Sequence, residues 1–398
     1  MSFWNSPLIT SVAFHPRPHA MNSALVPNAI DGTFTSSTIS LGYRFYRPSS
    51  QPDSYESVIL LFHGNAEIAP DYDSASKELS AMKSPAALLV VDYRGYGWSS
   101  GEPSLTSLLS DAELVASQLG SVPKLNPSVP VVLFGRSLGS QCAIHLANKF
   151  PDRFSGLVLE SSFHAILQLP SVKTLAMMLP GGAGMLNMLP EIFHSLDKIK
   201  HLQSMPVMVI HGTDDEIAPL EQAKELFQAC SSTNKKFQQL PNAGHNDLVH
   251  RHRTTYYAAL EILLKDAITF ASASSVVQEC NALLLSKQYD AVVVKGVDLL
   301  QSDRLSEASQ CLLLEYVAKA SWHKDDMNAV VKYSTRLLNR QPNHINGLCL
   351  RAKAYDKLQD FESFYEDVLA LSDHLGGPAG ATKESTAMAL LAIHCWTV

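Results

Sequence analysis

The stretch Gly135-Arg136-Ser137-Leu138-Gly139, which directly follows the apolar run Val131–Phe134, is the most informative part of the sequence. A serine between two glycines at this spacing fits a sharp turn from a strand into a helix, which lifts the hydroxyl to a place where a base can reach it. A bulky side chain at either glycine would collide with the neighbouring strand or helix. The residues after the turn, Ser140–Asn148, are typical of a helix. The pattern therefore predicts a nucleophile at Ser137, at the end of a buried strand.

Between Ile39 and Phe270, short aliphatic or β-branched runs alternate with helix-like stretches. Continuous apolar strands separated by helices predict an α/β domain with a mostly parallel, doubly wound sheet covered on both faces. In such sheets ligand sites gather at the carboxyl ends of the strands. The predicted strands are Ser40–Tyr46, Ser57–Phe62, Ala86–Asp92, Val129–Phe134, Gly156–Glu160, Met205–His211 and Lys236–Leu240.

A nucleophilic serine needs a histidine base, and that histidine needs a carboxylate to fix its tautomer. His245 lies in a Gly-His loop after the last predicted strand, which sets it apart from the other histidines. The acid is predicted at Asp215, in the turn after the preceding strand, while Asp214 is assigned to the turn that caps the next helix. Glu160 is the alternative acid. The resulting order of serine, acid and histidine is the one expected for this type of fold.

Chemistry at a carbonyl also needs donors for the developing oxyanion. The backbone N–H of Leu138, just after the nucleophile, is predicted to be one donor. The second is predicted at Asn65, in the loop after the strand that ends at Phe62, because a donor from such a loop completes the arrangement. His63 and Asp92 are assigned structural roles in their loops. The two donors therefore complete a predicted catalytic site.

Composition excludes several classes of function. The formal net charge of −7 and the lack of a basic face argue against a nucleic-acid partner. The six cysteines are scattered singly and form no Cys-x-x-Cys pair, which predicts reduced thiols, no metal site and a cytoplasmic protein. Met1–Pro18 lacks the pattern of a signal peptide, and no stretch reaches the ~20 apolar residues of a membrane span. Peripheral membrane contact stays open, and no organic cofactor is expected.

The domain organisation is predicted as an N-terminal extension over 1–38, an α/β domain over 39–270 and an all-helical domain over 275–398. Within the α/β domain, residues 163–196 interrupt the rhythm with a segment rich in methionine, leucine, proline and glycine. This segment is predicted to be a helical cap over the site, because methionine packs adaptably against varied ligands. The alternative is an insertion that only covers the sheet.

The helical domain contains similar sequences in Lys287-Gln288-Tyr289-Asp290, Lys324-Asp325-Asp326-Met327 and Leu358-Gln359-Asp360-Phe361. The last two are 34 residues apart, which is the period of the tetratricopeptide repeat, and Pro342 falls where that repeat has its turn proline. A protein partner bound by these repeats is possible. A generic helical bundle is the alternative.

The motifs together resemble the α/β-hydrolase superfamily over roughly residues 40 to 270, and within it serine hydrolases related to Bem46 and to the α/β-hydrolase domain-containing 13 and 17 groups. The resemblance implies that Asp215 is the acid and that Asn65 and Leu138 are the oxyanion donors. Some relatives remove palmitoyl groups from proteins and carry a cysteine-rich N-terminus, whereas this chain has no cysteine before Cys142.

The predicted function is therefore a serine hydrolase that cleaves an ester or thioester of an apolar acyl group, in a small molecule or an acylated protein, through a Ser137-His245-Asp215 triad and an acyl-enzyme. One alternative is a serine peptidase that uses the same triad. The other is an interaction or scaffold protein in which the helical repeats bind a partner and the hydrolase-like domain is only a support.

Overall fold

Two compact units make up the chain, Met1–Thr269 and Phe270–Val398. A computed structural model describes residues 10–11, 13–48, 52–177, 191–301, 305 and 307–375. The first unit contains all the strands of the described chain, and the second contains helices only. The predicted class, an α/β domain followed by an all-α region, is confirmed.

A single sheet of eight strands organises the first unit, in the order β1-β2-β4-β3-β5-β6-β7-β8. Strands β1 and β2 run antiparallel to their neighbours, and all the other pairs are parallel. The strands are β1 (Ala29–Thr35), β2 (Ser40–Tyr46), β3 (Ser57–Phe62), β4 (Ala86–Val91), β5 (Val131–Arg136), β6 (Gly156–Glu160), β7 (Val207–Gly212) and β8 (Lys235–Leu240).

Helices follow most of these strands. In the first unit they are α1 (Asp73–Ser80), α2 (Leu108–Gln118), α3 (Gly139–Lys149), α4 (Pro170–Met177), α5 (Ser195–Ile199), α6 (Leu220–Ala229) and the start of α7 (Leu248–Leu285). Short 3-10 turns lie at Ser23–Leu25, Ala69–Tyr72, Leu119–Ser121 and Ile166–Gln168. Helix α7 has non-helical backbone angles at His252.

Both faces of the sheet are buried because successive side chains of a strand point to opposite sides. Val58, Leu60 and Phe62 of β3 enter one apolar cluster, whereas Ile59 and Leu61 enter a second cluster on the other face. Every residue of β3 and β4 is buried. This burial explains why the central strands read as unbroken apolar runs in the sequence.

The sheet starts earlier than predicted, because β1 lies within the segment 1–38 that was expected to be an extension. Its sequence contains Asp31 and Gly32, and among its residues only Phe34 is buried. An edge strand that is largely half-buried lacks the apolar run by which its neighbours are recognised. Asp31 instead binds the fully buried Arg44, with 2.7 Å between Oδ1 and Nε, so this segment belongs to the domain.

The predicted cap over 163–196 falls partly outside the described residues, and this includes Met178, Met185 and Met188. The described part contains the 3-10 turn at 166–168, helix α4 and the first two residues of helix α5. Ile166 and Phe193 are buried in the main apolar cluster. The described ends of the segment therefore pack onto the domain.

The second unit contains the rest of α7, followed by α8 (Tyr289–Leu300), α9 (Glu307–His323), α10 (Met327–Leu338), α11 (Ile345–Lys357) and α12 (Phe361–Leu375). From α8 onward, each helix packs against the next one in the chain. Left-handed residues at Lys287, Asp325 and Gln359 stand in the turns before α8, α10 and α12. The same turn therefore recurs at the aligned positions, while the assignment to the tetratricopeptide repeat stays a prediction.

No helix in the described part of the chain is long and apolar enough to cross a membrane.

Candidate active site

The turn that carries Ser137 joins β5 to α3 with a left-handed backbone, at a φ of 49°. The two glycines have steric causes, as predicted. A Cβ at Gly139 would lie 1.9 Å from the carbonyl oxygen of Phe62, and one at Gly135 would lie 2.5 Å from the Cα of Ser140. The left-handed turn is possible because neither Gly135 nor Gly139 carries a side chain that would collide with the neighbouring backbone.

Gly139→Ala should therefore destabilise the domain. The added methyl group meets a main-chain oxygen of β3, which no change of rotamer can move, and overpacking of this kind costs about 1–3 kcal/mol. We expect a lower melting temperature. The control is Gly120→Ala, because nothing lies within 4 Å of the position that its Cβ would occupy. Wild-type stability in Gly139→Ala would contradict a steric requirement for glycine at this position.

Ser137, His245 and Asp215 form a continuous hydrogen-bonded chain. The Ser137 Oγ lies 3.0 Å from His245 Nε2, and His245 Nδ1 lies 2.8 Å from Asp215 Oδ2. The tautomer that satisfies both contacts carries its proton on Nδ1, so that Nε2 can accept from the serine. All three side chains are buried. The structure thus brings together the three residues predicted for the triad.

Asp215 is fixed by more than the histidine. Its Oδ1 accepts from the backbone N–H groups of Ile217, at 3.0 Å, and Ala218, at 2.8 Å. His211 Nε2 lies 3.3 Å from Oδ2 and 2.8 Å from the Ala218 carbonyl. Burial alone would raise the pKa of the Asp215 carboxyl, but the hydrogen bonds from His211 and His245 outweigh burial and lower it well below its ordinary value. The carboxylate is therefore held in its ionised form.

The neighbouring acids lie elsewhere. Asp214 accepts from the Thr213 hydroxyl at 2.8 Å and does not cap α6, which corrects the expectation for its side chain. Glu160 binds Arg136 at 2.9 Å rather than the histidine. Asp92 accepts from the backbone of Ala69 at 2.8 Å. Neither Glu160 nor Asp92 replaces Asp215 beside the base.

The two predicted oxyanion donors lie at the same edge of the sheet. Phe62 of β3 pairs with Gly135 of β5, so the chain leaves both strands at neighbouring positions. Asn65 lies three residues after Phe62, and Leu138 follows Ser137. Among the described residues, no hydrogen-bond acceptor pairs with the backbone N–H of Asn65 or of Leu138. Both groups are therefore available to a substrate oxygen.

Residues 14–17 of the N-terminal segment hold the loop of Asn65 in place. These contacts were not predicted from the sequence. The Asn65 Oδ1 accepts from the backbone N–H of His15 at 2.8 Å and from the Tyr96 hydroxyl at 2.7 Å. Arg17 donates to the Ala66 carbonyl at 2.9 Å. Phe14 is buried in the main apolar cluster and anchors the segment. These contacts fix the loop that carries Asn65.

The described ends of the segment 163–196 meet at one residue of α3. The Gln141 Nε2 donates to the Phe163 carbonyl at 2.7 Å, and the Ser195 hydroxyl donates to Gln141 Oε1 at 2.5 Å. Gln141 therefore ties both ends of this segment to the helix that begins after Ser137. Within the described ranges, no group of three or more His, Cys, Asp or Glu side chains has the arrangement of a metal site.

A sequence profile of the family described as Serine aminopeptidase, S33 (Hydrolase_4) matches residues 53–183. The chain is 34% identical to the protein Bem46 of Schizosaccharomyces pombe over 50% of its own length and 64% of that protein. It is 28% identical to the α/β hydrolase domain-containing protein 17C of Mus musculus, over 52% of this chain and 59% of that protein. The chain thus spans less than two thirds of either relative.

Among solved structures, the esterase Pf2001 of Pyrococcus furiosus is similar to this chain with a TM-score of 0.50 and 15% sequence identity. The alignment covers 64% of this chain and 99% of that protein. A likeness at this identity concerns the fold.

Proposed function

From the similarity in sequence to Bem46 and the likeness in fold to a solved esterase, we propose that this chain is a serine hydrolase that cleaves an ester or thioester of an apolar acyl group. The observation that carries the proposal is the hydrogen-bonded chain from Ser137 through His245 to Asp215. A serine and a base at this distance, with the base fixed by a buried carboxylate, have the geometry that nucleophilic acyl transfer requires.

In the proposed reaction, the Ser137 Oγ attacks the substrate carbonyl while its proton passes to His245 Nε2. The carbonyl oxygen, on which negative charge forms, accepts hydrogen bonds from the backbone N–H groups of Leu138 and Asn65. The imidazolium is stabilised by the carboxylate of Asp215. His245 then returns the proton to the departing alcohol or thiol, and an acyl-enzyme is left.

Water releases the acyl group by the same steps in reverse. His245 takes a proton from the water, whose oxygen attacks the acyl carbonyl, and the tetrahedral intermediate collapses with the proton delivered to Ser137 Oγ. The reaction produces a carboxylic acid and restores the hydroxyl. Every proton is carried by the serine, the histidine or water, so the reaction needs no metal or organic cofactor.

The preference for an apolar acyl group rests on the cap. Its sequence is rich in leucine and methionine, and its described parts place Leu167, Leu169 and Val172 against the main apolar cluster. An apolar cover near the nucleophile would favour acyl chains over charged peptides. A cytoplasmic location agrees with the five free cysteines of the described chain, all of which are buried.

The test is turnover of matched substrates, namely p-nitrophenyl esters and thioesters from acetyl to long acyl chains, with a peptide amide alongside. We expect kcat/KM to rise about fourfold per added methylene until the pocket is full, because each buried CH2 contributes ~0.8 kcal/mol. A maximum at acetyl with no turnover of long chains would contradict the apolar cap. Turnover of the amide alone would favour the peptidase alternative.

The helical second unit supports a second role, in which it binds a protein partner and directs the hydrolase to an acylated protein. The recurrence of the same left-handed turn at Lys287, Asp325 and Gln359 is the observation that favours it, because stacked helical hairpins offer an extended binding surface. Substitutions in this unit that lower turnover of an acylated protein, but not of a small ester, would support this role. Equal effects on both substrates would contradict it.

A further inference from the structure

Arg136 precedes the proposed nucleophile but takes no part in the reaction described above. Its side chain is only 11% exposed, although a guanidinium is costly to bury without partners. The Nε donates to Glu160 Oε1 at 2.9 Å, and Nη1 pairs with Glu67. The guanidinium thus lies between two carboxylates that come from different parts of the chain.

Through Glu67, Arg136 is connected to the loop that carries Asn65. The second oxygen of Glu67 accepts from the backbone N–H of Gly64 at 2.7 Å and from the Tyr72 hydroxyl at 2.8 Å. A Cβ at Gly64 would lie 2.6 Å from Arg136 Nη1, so the guanidinium packs directly on the backbone of this loop. The Arg136–Glu67 pair therefore helps to fix the position of the loop that carries the proposed oxyanion donor Asn65.

The remaining nitrogen of the same guanidinium contacts the loop of the base. The Nη2 donates to the backbone carbonyl of His245 at 3.1 Å and to the Asn246 side chain at 2.9 Å. Glu160 is itself fixed by the hydroxyl of Tyr256 in α7. One planar group thus joins the loop of Asn65, the end of β6 and the loop of His245.

We propose that Arg136 is a positioning residue that holds the loop of Asn65 and the loop of His245 in place around Ser137. This inference rests on the proposed serine-hydrolase function, and it adds a residue that the triad pattern does not include. A guanidinium suits this role because it presents five N–H donors in a rigid fork, whereas an ammonium is a point charge that cannot reach the same set of acceptors.

The electrostatics of the network agree with this role. Burial alone would lower the pKa of Arg136, but the carboxylates of Glu160 and Glu67 outweigh burial and raise it above its ordinary value. Removal of the guanidinium would leave both carboxylates near each other without their counter-charge. Repulsion between them would move the loop of Asn65 relative to Ser137.

The expected consequence is a loss in kcat rather than in KM, since, among the described residues, the side-chain partners of Arg136 lie in the loops of Asn65 and His245 and at the end of β6, not in the segment 163–196. A displacement of about 1 Å in a catalytic group can cost about 100-fold in rate. We therefore expect kcat to fall about 100-fold in Arg136→Ala and less in Arg136→Lys, with KM within a few-fold of wild type. Affinity for a boronic acid that mimics the tetrahedral intermediate should fall in parallel with kcat.

The experiment compares the full-length wild type, Arg136→Ala and Arg136→Lys on the best ester of the acyl series, with thermal melting of each. Arg94→Ala is the matched control, because Arg94 also pairs with a buried carboxylate, that of Asp111 at 2.6 Å, but contacts neither loop.

Millimolar guanidinium chloride should restore part of the kcat of Arg136→Ala, whereas urea at the same concentration should not. Glu67→Gln, which keeps the shape of the partner, serves if Arg136→Ala does not fold, and it should lower kcat about 10-fold with little change in KM.

The proposal is overturned if Arg136→Ala, or Glu67→Gln in its place, turns over within threefold of wild type. It is also overturned if the loss matches that of Arg94→Ala and guanidinium restores nothing. Failure of the underlying function looks different. In that case the wild type itself would neither hydrolyse the esters nor react with a serine-directed probe.

Discussion

Ser137→Ala is expected to lower kcat for the preferred ester about a million-fold, which is the size of the loss in kcat when a serine hydrolase loses its nucleophile. The acyl-enzyme path cannot begin without Oγ, and His245 would have only water to activate. The change should leave the fold intact, because alanine only removes the hydroxyl from the same turn. Kinetics and thermal melting of the purified variant measure the two effects separately.

The matched control is Ser162→Ala. Ser162 is also buried, at the carboxyl end of the neighbouring strand β6, and among the described residues its hydroxyl has no hydrogen-bond partner. This variant should keep wild-type turnover. If Ser137→Ala retained more than about one thousandth of wild-type kcat, the nucleophile would have to be another residue.

Asp215→Asn should lower kcat about ten-thousandfold. An amide keeps the shape of the carboxylate, but it favours the wrong tautomer of His245 and does not stabilise the imidazolium. The neighbouring Asp214→Asn is the control, because the Asp214 side chain is exposed and, within the described ranges, accepts a hydrogen bond from Thr213 alone. Equal rates for the two variants would show that the acid of the site is not Asp215.

The same substitution should also change the pH dependence of stability. The pKa of Asp215 is lowered in the folded chain, so the unfolded chain binds this proton more tightly. The resulting stabilisation is present above the pKa of an ordinary aspartate, ~3.9, and is lost as the pH falls through the lower folded value. Urea unfolding between pH 5 and the acid limit should show this loss in the wild type and less of it in Asp215→Asn.

Much of the site could be predicted from the sequence because each predicted residue follows a buried strand. Ser137 follows β5 and Asp215 follows β7, and their strands read as continuous apolar runs. Parallel strands bring their carboxyl ends to one edge, so the order of motifs along the chain translates into proximity. His245 was found by the same rule, since its loop follows β8.

The contacts that support the site could not be predicted in this way. Arg136 is bonded to Glu67, Glu160 and His245, which are far apart in the sequence and have no common spacing. Strand β1 was missed because a half-buried edge strand that contains Asp31 and Gly32 has no apolar alternation. Features that depend on tertiary partners rather than on local pattern therefore needed the structure.

Covalent labelling with a fluorophosphonate probe, followed by mass spectrometry of the labelled peptide, tests whether Ser137 is the nucleophile. We expect one adduct on Ser137 in the wild type and in Ser162→Ala, and none in Ser137→Ala. Labelling that persisted undiminished in Ser137→Ala, or a wild type that did not react at all, would contradict this assignment.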